Sequence, residues 1–137
     1  MGVLDRFLRR LSRRLIYERK SPRRKPVSVT TRFRIRSGQR VSAYVEARTR
    51  DLSESGLAVE APSMRIDGLH AYDSTDMVTP TRLDIVLGLP SGNVTVTGEV
   101  VRYDKLSGGE YLLGIRIVEM TAADRERYMR FVESLAK

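Results

Sequence analysis

These 137 residues encode a mainly β protein: a small six-stranded antiparallel β-barrel with an N-terminal amphipathic helix and a C-terminal helix. Three observations predict it. From Val27 onward, apolar and polar residues alternate with a period of two in a series of short runs. Turn-rich segments separate many of these runs, among them Ser37-Gly38-Gln39, Pro90-Ser91-Gly92 and Asp104-Lys105-Leu106-Ser107-Gly108-Gly109, and such tight connections favour antiparallel pairing. A short-stranded sheet left open would expose two edges, and closure into a barrel removes them.

The elements follow in chain order. Residues 1–17 place Leu4, Phe7, Leu8, Leu11, Leu15 and Ile16 at helical spacing, with Arg6, Arg9, Arg10, Arg13 and Arg14 among them, so an amphipathic basic helix is predicted. Pro22 and Pro26 end helical character, because proline lacks the backbone donor and pushes its predecessor to extended geometry. Residues 18–26 then form an arginine-bearing arm.

A single domain, residues 27–137, follows. Its first strand buries Val27, Val29, Thr31, Phe33 and Ile35, and its second, about 41–50, turns Val41, Ala43, Val45 and Ala47 inward. A turn at Asp51–Gly56 leads into a third strand, Leu57–Ala61. Residues 62–80 break the pattern with two prolines, Gly68 and three aspartates, and are expected to be a long loop or irregular insertion. Strands resume at about 82–89, 93–102 and 110–118. Thr121 followed three residues later by Asp124 has the form of a helix N-cap, opening a helix with Tyr128, Phe131, Val132 and Leu135 on one stripe.

Charge narrows the function. The net charge of +8 is concentrated at the start: residues 1–40 carry 14 Lys and Arg against only Asp5 and Glu18. Such asymmetry suggests an anionic partner. The absence of cysteine excludes disulfides and thiolate chemistry and suits a reducing compartment. Apolar runs are too short to span a bilayer and no signal-peptide pattern is seen, so a soluble, cytoplasmic protein is expected.

Catalytic signatures are missing. His70 stands among Asp67, Asp73 and Asp76, but their spacing matches no known cation loop, and an acidic surface loop is the better account. One loop histidine without a nucleophile elbow makes no triad, and Gly108-Gly109 lacks the Lys-Ser/Thr of a phosphate-binding loop. No catalytic residue, metal or cofactor is therefore assigned.

Two motifs remain. Arg-x-x-x-Arg occurs six times and identifies nothing alone, yet Arg19/Arg23 is the one such pair inside the proline-bounded arm. Guanidinium groups fork onto phosphate oxygens and stack on purine faces. Asp51-Leu52-Ser53-Glu54-Ser55-Gly56 is an Asp-x-Ser-x-x-Gly turn. It reads equally well as a plain structural turn and as an acceptor set for a base edge, with glycine permitting close backbone approach.

Taken in order, "YERKSPRRKPVSVTTRFRI", "VEARTRDLSESGLAVEA" and "VTGEVVRYDKLSGGEYLLGIRIVEMTAADRERYMRFV" closely resemble the PilZ domain family, over roughly residues 18–135. Ile117 stands where that family often has Phe. The resemblance implies a six-stranded barrel that binds the bacterial second messenger cyclic di-GMP without catalysis. It gives Arg19 and Arg23 the phosphate clamp and guanine stacking, with Arg24 as an auxiliary phosphate contact. It gives Asp51 and Ser53 a guanine edge, and Gly56 the shape of the turn beneath. Gly114 corresponds to a late-strand glycine for close packing.

Ligand binding is expected to order the arm and re-aim the N-terminal helix for a protein partner, met through that helix or the barrel surface. The leucine stripe of the helix is read first as packing onto the barrel, the C-terminal helix or a second copy, with an acidic membrane surface or nucleic acid as the other contact open to it. A nucleotide-independent interaction module is the alternative function. A nucleic-acid-binding barrel ranks third, since the arm has no aromatic stacking platform.

Overall fold

The computed structural model describes residues 24–72 and 80–135. The predicted N-terminal helix, and the arm up to Arg23, lie outside the described residues. The strands are β1 (Lys25–Pro26), β2 (Thr30–Ser37), β3 (Arg40–Val41), β4 (Val45–Leu52), β5 (Gly56–Ala61), β6 (Arg65–Ile66), β7 (Leu69–His70), β8 (Thr81–Leu89), β9 (Gly92–Lys105) and β10 (Tyr111–Glu119). One helix, α1 (Ala122–Ser134), follows them.

Six long strands pair in the order β4-β5-β10-β9-β8-β2, and β2 returns to β4, so the antiparallel barrel closes. Closure satisfies every edge of the six, as anticipated from strand length. The period-two pattern fills the interior: Phe33 and Ile35 from β2, Leu57 and Val59 from β5, Leu83, Ile85 and Leu87 from β8, Val94 and Val96 from β9, and Leu113 and Ile115 from β10 are all buried. Each such side chain contributes about 1.5–3 kcal/mol relative to exposure.

Three local features differ from the sequence expectation. Val41 and Ala43 are exposed, whereas Ser42 is buried. The chain leaves β3 at Val41, and Ser42 stands in for a strand partner, its N–H donating to the Ile35 carbonyl and its hydroxyl accepting from the Ile35 N–H, both at 2.9 Å. A hydroxyl able to accept and donate at a strand break is worth more inside than alanine or valine. Within 62–80, β6 and β7 form a small hairpin whose Met64, Ile66, Leu69 and Ala71 join the core, so that part is not irregular. Finally, β9 runs on to Lys105, extending past the barrel rim with residues 101–105 exposed.

Helix α1 begins as predicted: Thr121 Oγ1 accepts from the Asp124 N–H at 3.1 Å. The Asp124 carboxylate also reaches beyond its own turn. It accepts from the Thr95 N–H on β9 at 3.0 Å and from Arg127 at 2.6 Å, while Arg127 also donates to the Asn93 carbonyl at 2.9 Å. These bonds fasten the first turns of the helix to β9 and turn Tyr128 and Val132 into the core.

Candidate functional site

Asp51 sits near the end of β4, and a β-bulge decides where it points. Thr49 pairs with Val59 and Asp51 with Ala58, so Arg50 is the extra residue. Ala47 and Thr49 face inward; after the bulge Leu52 is buried and Asp51 turns outward, its side chain 20% exposed. A regular strand would have carried Asp51 inward with Ala47 and Thr49. Arg50 itself pairs with Glu60 at 2.6 Å on the outer face.

The turn that follows is held from three directions. Ser53 is 0% exposed; its N–H donates to the Gly56 carbonyl at 2.9 Å, and its hydroxyl donates to the same carbonyl at 3.1 Å and accepts from the Gly56 N–H at 3.2 Å. From β10, the Ile117 N–H donates to the Ser55 carbonyl at 3.0 Å. From α1, the buried Tyr128 hydroxyl donates to the Ser53 carbonyl at 2.6 Å. The turn is a fixed platform with Asp51 at its near edge and Glu54 and Ser55 at its tip.

Gly56 has no positive φ, so conformational freedom is not its reason. It opens β5 opposite Arg116, where an added Cβ would lie 2.6 Å from the Ile115 carbonyl oxygen. Close backbone approach requires the glycine. Gly114 is likewise a packing position: a Cβ there would lie 2.7 Å from the Cγ of Arg102, whose side chain crosses over it.

Residues 24–26, the described part of the arm, reach this platform. Lys25 pairs with Leu52 and Pro26 with Asp51 in antiparallel register, and the Val27 N–H donates to the Arg50 carbonyl at 3.0 Å. Arg24 Nη1 bonds Asp51 Oδ1 at 3.1 Å, and Lys25 Nζ donates to the Val132 carbonyl of α1 at 3.0 Å. Arg24, Asp51, Ser53 and Gly56 are therefore brought together at one end of the barrel. Arg19 and Arg23 lie outside the described residues, although Arg23 directly precedes this zippered segment. The Arg24–Asp51 pair is part-buried, its side chains 31% and 20% exposed.

Sequence reasoning missed Tyr128 as part of the site. It was legible only as one member of an apolar helix stripe, and its hydroxyl gave no sign of a partner 75 residues away. Lys25 was also missed. As for the aspartates around His70, Asp67 accepts from the Ala43 N–H at 2.7 Å, and His70 Nδ1 accepts from the Tyr72 N–H at 3.0 Å. Asp73 and Asp76 lie outside the described residues, and among those described no group of His, Asp or Glu is placed to hold a metal ion.

The barrel, its closing helix and the aspartate turn beside an arginine-bearing segment match a known domain model: PilZ domain, over residues 17–134. The chain belongs to the PilZ domain family. Among solved structures, this PilZ domain is similar to the PilZ domain of YcgR from Escherichia coli, solved with c-di-GMP, with a TM-score of 0.56 and 13% identity over 86% of this chain and 92% of that one. It is also similar to the Bacillus subtilis inhibitor of motility MotI/DgrA (TM-score 0.56, 16% identity, 86% of this chain and 51% of that one). K. pneumonia MrkH in its apo state gives a TM-score of 0.54 and 17% identity, over 84% of this chain and 49% of that one. The PilZ chain thus spans about half the length of MotI/DgrA and MrkH. No curated protein matches it. No helix among the described residues is long and apolar enough to cross a membrane.

Proposed function

We propose that this PilZ domain is a non-enzymatic cyclic di-GMP receptor whose arginine arm closes over the Asp51–Gly56 platform. The observation that carries the reading is the antiparallel pairing of Lys25 and Pro26 with Leu52 and Asp51, which leads the arm directly past the acceptor edge. Membership of the family, and its YcgR relative solved with c-di-GMP, support the choice of ligand.

In this mechanism Asp51 accepts from the N–H groups of a guanine edge, for which an outward carboxylate beside a rigid turn is suited. Arg24 is displaced from Asp51 and turns to a phosphate. Arg19 and Arg23 supply the remaining forked contacts and a stacking face. Ser53, whose hydroxyl is closed onto Gly56, serves by holding the platform; reading guanine directly would require it to give up those bonds. Lys25 couples the arm to the last turn of α1, so closure re-aims residues 1–17 toward a protein partner.

Isothermal titration with cyclic di-GMP, using GTP and a short oligonucleotide as controls, tests the reading. Saturable binding of cyclic di-GMP alone is expected, with Arg23→Ala and Asp51→Ala each weakening it at least about tenfold, the loss of one charge-assisted contact. Undiminished binding in both variants would sink the residue assignment. No binding by the wild type would leave a nucleotide-independent interaction module in its place.

A further inference from the structure

The barrel end opposite the Asp51–Gly56 turn carries a second concavity. β2 ends there at Ser37, paired with Thr81 at the start of β8, whereas the β4–β5 turn lies by the start of β2. The hairpin of β6 and β7 overhangs this rim and encloses an open groove of about 520 Å³. Arg40, Arg65, His70, Tyr72, Thr81 and Tyr103 are among the residues lining it. Its volume lies within the roughly 300–1,000 Å³ of small-molecule sites.

The chemistry of the lining is uneven. Most of the outward arginines have a carboxylate: Arg34 and Arg36 share Asp84, Arg82 and Arg116 share Glu99, and Arg50, Arg127 and Arg130 have Glu60, Asp124 and Glu126. Arg32, Arg40, Arg48, Arg65, Arg102 and Arg125 have no carboxylate partner among the described residues, and two of them, Arg40 and Arg65, line this one groove. Two such guanidinium groups around one hollow favour an anion, best a phosphate with oxygens for both forks. Arg65 and His70 are directly opposed in the β6–β7 register, which puts the imidazole on the same face.

Aromatic surface adjoins the cations. The rings of Tyr72 and Tyr103 lie 5.4 Å apart at 57°, and the residues are 41% and 43% exposed. Tyr111 extends the row, 6.3 Å from Tyr103. His70 Nδ1 accepts from the Tyr72 N–H at 3.0 Å, which steadies the Tyr72 backbone at the groove wall. Exposed tyrosine faces next to paired arginines form a stacking surface beside a phosphate seat.

We propose that this groove is a second ligand site, for a phosphate monoester of mononucleotide size bearing a flat ring, with Arg40 and Arg65 on the phosphate and Tyr72 and Tyr103 against the ring. It is independent of the cyclic di-GMP reading, because it uses none of the same residues and lies at the other end of the barrel.

The test is a titration followed by backbone amide NMR, on the full chain carrying Asp51→Ala to silence the first platform. GMP, ribose 5-phosphate and inorganic phosphate are the probes. Saturable shifts are expected at Arg40, Arg65, Tyr72 and Tyr103 with GMP. Ribose 5-phosphate should bind about tenfold more weakly, the size of one lost stacking contact. Adding Arg40→Ala and Arg65→Ala should weaken GMP at least about tenfold, while the same pair in the wild-type background leaves the thermal midpoint and any cyclic di-GMP binding unchanged. Absence of saturable shifts at these amides, or GMP binding that survives the double substitution, overturns the site. Equal affinity for GMP and inorganic phosphate overturns the role of the tyrosines.

Discussion

Gly56 shows how one residue serves the site without touching a ligand. Its Cβ position is taken by the Ile115 carbonyl oxygen at 2.6 Å, and backbone of a central barrel strand cannot step aside. Gly56→Ala should therefore destabilise the fold by about 1–3 kcal/mol, the usual cost of overpacking, visible as a lower denaturant midpoint. A midpoint unchanged from wild type would show that β5 and β10 can separate freely there. Tyr128 acts on the same turn from the other side. Tyr128→Phe keeps the ring in the core but deprives the Ser53 carbonyl of its 2.6 Å donor. A loss of about 1–2 kcal/mol is expected, together with faster amide exchange across 53–56. Exchange confined to α1, with the turn unaffected, would separate Tyr128 from the platform.

At the scale of elements, charge fastens strands and helix together, and two carboxylates carry this in their titration. Hydrogen bonds from the Thr95 N–H and then Arg127 hold the Asp124 carboxyl below the usual carboxylate range. For Asp84 on β8, burial pushes the carboxyl up, but hydrogen bonds from Arg36 and Arg34 on β2 outweigh it, and the result is again a lowered value. A carboxylate whose folded pKa is depressed adds stability at pH above its unfolded value. That contribution is lost as pH falls through the folded one. The fold should thus weaken below about pH 4, with Asp124→Asn reducing the acid slope and costing about 1 kcal/mol at neutral pH. Urea midpoints measured from pH 3 to pH 7 check this; an unchanged slope in the variant would remove Asp124 as an anchor of α1.

For the whole molecule, residues 24–26, the platform and the closing helix meet at one barrel end, so the proposed binding of a ligand there would be coupled to global stability. Cyclic di-GMP at about a hundred times its Kd should stabilise the wild-type fold by about 2.7 kcal/mol, and Asp51→Ala should abolish most of that gain at the same concentration. A thermal shift of equal size in wild type and variant would place the ligand elsewhere. Hydrogen exchange over residues 1–26 with and without ligand would show whether closure of the arm extends to the N-terminal segment.

Much of this architecture was legible because it rests on local chemistry. Alternation in β2, β8 and β9 reports which face is buried, since side chains in a strand point alternately to its two sides. Thr121 announced the helix start because a cap bonds within its own turn. What escaped depended on how strands pair with one another. The bulge at Arg50 exists only relative to β5, so the sequence could not say whether Asp51 faces out. Ser42 is buried because Ile35 offers it both a donor and an acceptor.

The chain's residues alone determined a six-stranded barrel with a closing helix, a cationic start and an Asp-x-Ser-x-x-Gly turn, because periodicity, capping and turn chemistry act over a few neighbours. Only the tertiary structure decided what the turn is made of. It assigned Ser53 to the frame and aimed Asp51 outward, and it set Arg24 against Asp51 and Tyr128 beneath Ser53. The Ser53 bonds are local to the turn, but the other two contacts span 27 and 75 residues, and the β1–β4 pairing and the packing of α1, rather than any local preference, bring them within hydrogen-bond reach.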